Sequence, residues 1–152
     1  MPDVAPVPAG AHTVNPYLLL KDVRALIDFC VAAFDATVGH RSLDGDRISH
    51  VQFAIGDSIV MAGEAPTDEW LAPANLYVYV PDCDAVFARA VAAGATSIME
   101  PATMFYGDRH GGVRDANGNV WWIATHVEDV PDDELDRRHA VEMRRRREGA
   151  SG

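Results

Sequence analysis

Two largely apolar runs, residues 15–20 and 76–80, read as strands, and each gives way after an aspartate to apolar residues at helical spacing. In the first case these are Val23, Leu26, Ile27, Cys30, Val31 and Phe34, and Asp22 stands where it can cap the helix start. In the second, Asp82 opens a helix that runs to Ala93, and Gly94 ends it. The whole strand–turn–helix phrase is therefore said twice. NPYLLLKDVRALIDFCVAA and NLYVYVPDCDAVFARAVAA superpose without a gap and coincide at Asn15/Asn75, Tyr17/Tyr77, Asp22/Asp82, Ala25/Ala85 and Val31-Ala32-Ala33/Val91-Ala92-Ala93. The endings echo as well: GDSIVMA at residues 56–62 is answered by GNVWWIA at 118–124. A repeat of this length implies two similar units packed around a shared space.

The stretches between complete each unit. Strands are expected over residues 36–43, 48–55 and 58–62, with an Asp-Gly turn between the first two and Gly56-Asp57 between the next. Residues 63–74 have the proline and acid content of a linker. In the second unit, strands are expected over 76–80, 96–99 and 120–125, and residues 106–114 read as a Gly-rich loop followed by a strand. The order is βαβββ, twice. The fold class that follows is α+β: two modules, about 15–62 and 75–126, curving a mixed sheet around a cup. Residues 1–13 read as a flexible lead-in, 14–130 as the domain, and 131–152 as a C-terminal helix and tail. That helix has its acids first and its arginines last, complementing the helix dipole.

Charge and cysteine content narrow the setting. The formal net charge is −10, and because arginines and acids cancel after residue 130, the body carries all of it. Such a body repels nucleic acid and attracts cations. No apolar run is long enough for a membrane span, and the lead-in lacks the basic start and apolar core of a secretory signal. The expected address is the cytoplasm, without nucleic-acid or membrane partners. Cys30 and Cys83 read as buried thiols, not as a disulfide framework.

The phrases NPYLLLKDVRALIDFC, GDSIVMAGE, LYVYVPDCDAVFARAVAAGAT and FYGDRHGGVRDANGNVWWIATHVED resemble the vicinal-oxygen-chelate superfamily, in its PhnB-like branch of glyoxalase/bleomycin-resistance proteins. The likeness covers residues 15–129 and departs at Ala116, where proline is usual. It implies a cup, commonly completed in a homodimer, and in the family's metalloenzymes four His or Glu ligands at its corners. Carried over, those corners fall on Asn15, Val60, Asn75 and Trp122. Amides, an alkyl group and an indole are no set for a divalent ion, so neither metal nor other cofactor is expected.

The period of two along each strand then lists what lines the cup. If Asn15 and Asn75 face it, so do Tyr17, Tyr77 and Tyr79, while Leu18, Leu20, Val78 and Val80 face the helices. His50 and Gln52 lie opposite the apolar Val51 and Phe53, and Trp122 joins them from the last strand. Tyr106 and Arg109 belong to the Gly-rich loop. Arg109 either clamps a ligand carboxylate or pairs with Asp108 to fix that loop. His50 is the candidate acid–base residue, the alternative being a histidine whose ring is satisfied within its strand.

Three functions follow. The first is a binding protein, like the drug-sequestering members, holding a small aromatic or cationic molecule in a metal-free cup. The second is a metal-dependent glyoxalase- or dioxygenase-type lyase or isomerase. The third is a metal-free enzyme in which His50 or a tyrosine moves a proton.

Overall fold

Asp22 and Asp82 cap as their positions suggest, each accepting a hydrogen bond from the backbone N–H three residues on, Ala25 at 3.0 Å and Ala85 at 3.1 Å. In the computed structural model, which describes residues 3–150, the helices they open are α1 (Val23–Phe34) and α2 (Cys83–Ala92). Residues 1, 2, 151 and 152 of the lead-in and tail lie outside the described residues. The first module has β1 (Tyr17–Leu20), then α1, then β2 (Thr37–Asp44), β3 (Arg47–Ile55) and β4 (Ser58–Glu64). The second has β5 (Asn75–Tyr79), then α2, then β6 (Thr96–Thr103), β7 (Asp108–Arg114) and β8 (Val120–His126). Each module forms its own four-stranded sheet, in the orders β1-β4-β3-β2 and β5-β8-β7-β6. In both, the first strand runs parallel to the last and the other pairs are antiparallel, so both sheets are mixed. The fold is α+β, two βαβββ modules followed by a helix.

The period-two reading holds along the strands. Leu18, Leu20, Val51 and Phe53 are buried under α1, while Tyr17, Gln52, Tyr77 and Tyr79 are exposed on the opposite faces. The modules meet through their helices and through Trp121. Its ring, fully buried, stands 6.0 Å from Phe29 and 5.1 Å from Phe34, both on α1. A polar knot sits at the same junction. The buried Asp115 carboxylate accepts from the backbone of Asn117 and Asn119, from Asn119 Nδ2 and from Trp121 Nε1. Asn119 Oδ1 accepts from Ala74 N–H, and the Asn117 amide takes up both the N–H and the C=O of Asp22. Asn117 thus clasps the cap residue of the other module.

Three local expectations change. The chain over 106–112 is mostly strand: β7 begins at Asp108, and only a turn closed by Gly107 N–H on Met104 O precedes it. Its glycines serve close packing, because a Cβ on Gly111 would stand 2.8 Å from the Phe87 ring and one on Gly112 2.5 Å from the Trp122 ring. β6 continues past Met99 to Thr103, following β7. The last helix, α3 (Asp132–Ala150), has no buried residue. Arg138 ties it to the body, donating to Glu128 and to the Phe105 carbonyl.

Candidate functional site

The outward face of the second sheet is built in rows set by register. Tyr77 lies beside Trp122 and Trp122 beside Gly112; Tyr79 lies beside Ala124 and Ala124 beside His110; His126 lies beside Asp108. The small residues Gly112 and Ala124 leave room over the strands, and the rings fill it. Tyr77 and Tyr79 meet edge to face at 5.2 Å, and the His110 ring lies 5.6 Å from Tyr77 and 5.7 Å from Trp122.

Asp108 is the hub of this face. It is 4% exposed. Its Oδ2 accepts from the hydroxyls of Tyr77 at 2.7 Å and Tyr79 at 2.9 Å, and its Oδ1 bonds His126 Nδ1 at 2.8 Å. The other nitrogen of His126 reaches Asp129 Oδ1 at 2.7 Å. Both ring nitrogens therefore donate to carboxylates, and those bonds, Asp108 first, raise the His126 pKa. Burial alone would push Asp108 up, but the bonds from His126, Tyr77 and Tyr79 outweigh it and hold the carboxyl below its ordinary value. Tyr77 is pushed well up, first by burial and then by the carboxylate it donates to; Tyr79 is raised by that same bond. Both phenols stay protonated, with their protons committed to Asp108.

Beside the hub, Tyr106 O–H and His110 Nε2 are 3.0 Å apart. His110 is buried, which lowers its pKa, and among the described residues its Nδ1 has no hydrogen-bond partner. Trp122 Nε1 donates to Asn75 Oδ1 at 3.2 Å. Thus five of the sequence candidates, Asn75, Tyr77, Tyr79, Tyr106 and Trp122, share one face, assembled around a residue that sequence reasoning had treated only as a partner for Arg109. The signal for Asp108 and His110 was the alternation along β7, hidden by the loop-like composition of residues 106–112, and His126 lies one residue past the strand expected over 120–125.

Tyr17, His50 and Gln52 lie on the matching face of the first sheet. The rings of Tyr17 and His50 are 6.0 Å apart, and register puts Met61 between Tyr17 and Gln52. Among the described residues no ring contact or hydrogen bond joins this set to the second. Two candidates stand elsewhere. Arg109 turns to the helix side of β7, where it forms a bidentate pair with Asp84 at 2.9 and 3.0 Å; it neither faces the tyrosines nor pairs with Asp108. Alternation along β7 forces this, since its neighbours Asp108 and His110 both point the other way. Asn15 precedes β1 and folds back on the lead-in, its amide bonded to His12 N–H and C=O.

The corner expected at Val60 also moves. Val60 is buried on the helix side, and Met61 is the β4 residue beside Tyr17. Pairing explains the slip. Gly56 and Gly118 each stand two residues before the strand that follows, but Val60 pairs with the buried Phe53, whereas Trp122 pairs with Gly112 on the ring-bearing face. The same count from the glycine therefore lands on opposite faces. The corner positions carried over from the resemblance thus fall on Met61, Asn75 and Trp122, with Asn15 turned back on the lead-in, and amides, a thioether and an indole do not fit a divalent ion that wants imidazole, thiolate or carboxylate. Among the described residues there is no cluster of His, Cys, Asp and Glu suited to a metal.

A cleft of about 430 Å³ runs between β5 and the β3–β4 turn, with Tyr77 and Tyr79 on one wall, Asp57 and Ser58 on the other, and Phe34 and Trp121 in its lining.

Comparison with known proteins follows the same lines. The family model described as Glyoxalase/Bleomycin resistance protein/Dioxygenase superfamily matches residues 11–123. An uncharacterized protein of Mycobacterium bovis is 31% identical over 134 residues, covering 80% of this chain and 88% of its own. TioX from Micromonospora sp. ML1 superposes with a TM-score of 0.62 at 23% identity, over 79% of this chain and 100% of that one. A Bacillus cereus protein described as a putative 3-demethylubiquinone-9 3-methyltransferase, PhnB protein, gives 0.63 at 16% identity, over 75% of this chain and 99% of the other. At these identities the two structures speak for the fold alone.

Proposed function

The chain belongs to the glyoxalase/bleomycin resistance protein/dioxygenase superfamily, and from that premise we propose that it binds a small organic molecule with planar aromatic or cationic groups, in a hollow that uses no metal. The observation that carries this reading is the pairing of ill-suited corners with a ring-lined face. Where a metalloenzyme of this fold needs imidazoles and carboxylates, this chain has Met61, Asn75 and Trp122, with Asn15 turned back on the lead-in, and beside them stand Tyr17, Tyr77 and Tyr79 with their rings outward. The same donor set counts against the metal-dependent lyase or dioxygenase. The raised Tyr77 and Tyr79 count against a tyrosine base, and among the described residues the His50 ring meets Tyr17 and no side-chain hydrogen-bond partner that would orient it.

Our reading includes a second copy. Among the described residues no ring contact or hydrogen bond joins the ring-bearing faces of the two sheets, and each leaves large aromatics in solvent: Tyr17 is 51% exposed and Tyr79 63%. A homodimer that set one chain's first sheet against the other's second would close two equal cups. The two unpaired, buried thiols suit a reducing, cytoplasmic setting.

Three measurements test this reading. Elemental analysis of purified protein should find no stoichiometric divalent metal; about one ion per cup would overturn the metal-free part. Calorimetric titration with planar aromatic amines and alcohols should give saturable heat. Light scattering should give twice the chain mass, and Tyr17→Asp or Tyr79→Asp should return it to one.

A further inference from the structure

Resting on the second copy proposed above, we infer that the open edge of β5 is covered by the lead-in of that copy, its residues Val4-Ala5-Pro6 laid antiparallel along the strand. The repeat supplies the comparison. In the first module β1 is also an edge strand, and its outer side is covered. Ala72 bridges Leu19 in the antiparallel sense, its N–H donating to the Leu19 carbonyl at 2.8 Å. On the helix side of β1, Leu18 and Leu20 are each 1% exposed.

The second module lacks that cover. The repeat's counterpart of Ala72 is Asp132, which starts α3. Among the described residues β5 pairs with β8 alone and stands at the end of its sheet. Val120 N–H donates to Ala74 O and Val80 N–H to Ala124 O, so the even-numbered residues bond inward along this parallel ladder. The N–H and C=O groups of Asn75, Tyr77 and Tyr79 therefore point outward. The cleft of about 430 Å³ runs along that edge, lined by the unbroken run 76–81. Leu76, Val78 and Val80 remain half-buried where Leu18 and Leu20 are sealed. Such an edge accepts an extended segment of another chain.

The chain carries a segment of the right kind. Leu71-Ala72-Pro73 covers β1, and the lead-in holds Val4-Ala5-Pro6. Each offers an apolar side chain, an alanine N–H, and a proline that ends the pairing because it has no N–H to give. Residues 3–10 are exposed, Val4 at 74%. The chain's own lead-in is tied to the far wall of the cleft, with Gly10 against Ile59 and Ala11 N–H on Pro8 O, and from there it leaves Val4 in solvent without crossing to its own β5. A second copy's arm reaches the edge with that turn intact, and a two-fold axis makes the exchange mutual. A second copy's β5 suits the place less, because it would bring its own β8 about 4.8 Å behind it, toward the facing wall at Gly56 and Asp57. With the arm in place, the strand that carries Tyr77 and Tyr79 is held by the partner.

Tyr79 is the repeat's counterpart of Leu19, so Ala5 should face it as Ala72 faces Leu19. Cysteines at those two positions test this. Oxidation of the Ala5→Cys, Tyr79→Cys double variant should give a covalent dimer on a non-reducing gel, returned to one chain by reductant. Either substitution alone should give none, the native Cys30 and Cys83 being buried. A bond formed within one chain, or no bond at all, would overturn the exchange. Hydrogen exchange on the unaltered protein guards against a damaged variant: the Ala5 amide should exchange about ten-fold or more slowly than in a free peptide of residues 3–11. Exchange at the peptide's rate would also overturn it. Light scattering separates the two readings. Twice the chain mass without the cross-link sinks the arm alone, and a single chain mass sinks the second copy with it.

Discussion

Asp108 shows how much of a site can hang on one carboxylate. Its two oxygens hold two phenols and an imidazole, so it fixes ring positions that strand geometry alone leaves free. Asp108→Asn keeps the shape and removes the charge. It should cost about 1–3 kcal/mol, the range for a lost charged hydrogen-bond partner in a buried place, read as a lower urea midpoint at pH 7 with an unchanged slope. The pH dependence follows from the two shifts. Asp108 is lowered, so its contribution is present above its unfolded value, about pH 4, and fades as pH falls through the lower folded one. His126 is raised, so its contribution is full below its unfolded value, about pH 6.5, and is lost as pH rises through the higher folded one. Their bond is therefore strongest between those limits. The stability difference between wild type and His126→Gln should be widest near pH 5 to 6 and vanish in mildly alkaline buffer; a difference that grows with pH would contradict the assignment.

At the scale of elements, β7 decides the site. Asp108 and His110 face the rings, Arg109 faces α2, and Gly112 lies beneath Trp122. Gly112→Ala would drive a methyl into the indole and should cost about 1–3 kcal/mol, as overpacking does, with the Trp122 fluorescence shifted. The sequence made most of the framework legible: the duplicated phrase placed both helices, their aspartate caps and the alternating faces of β1, β3 and β5. β7 was hidden because HGG has the composition of a loop. Its glycines are there for rings that arrive from Phe87 and Trp122, and only the folded chain brings those rings over them. The slip from Val60 to Met61 has a similar cause. The third residue of β4 pairs with the helix-side Phe53 and that of β8 with the ring-side Gly112, so equal counts from the glycine reach opposite faces, and a one-residue error exchanges faces. Asn15 was misplaced because its amide closes a local loop with His12, which the repeat with Asn75 does not foretell.

At the scale of the molecule, the modules are joined in the middle and open at their ring-bearing faces. Trp121 belongs to the second module, yet it packs against Phe29 and Phe34 of the first. Trp121→Ala should therefore cost about 3–5 kcal/mol, and since the loss falls on both halves, denaturation should remain one transition by circular dichroism and by fluorescence. Residues 65–74 contribute less. The short 3₁₀ turn there, Asp68–Trp70, buries no residue, and Trp70 is 61% exposed. Bonds pin both ends of that stretch, Ala65 to Leu20 O and Arg47 at one and Ala72 N–H to Leu19 O and Ala74 N–H to Asn119 at the other, while the turn between them is held less. The covalent bridge is thus distinct from the grip that Asn117 and Trp121 provide. Scission near Pro66 should leave two fragments that find each other again in solution, each carrying half of the binding surface. The ancestral act of duplication would then be reversible at the bench, by complementation of separately expressed halves.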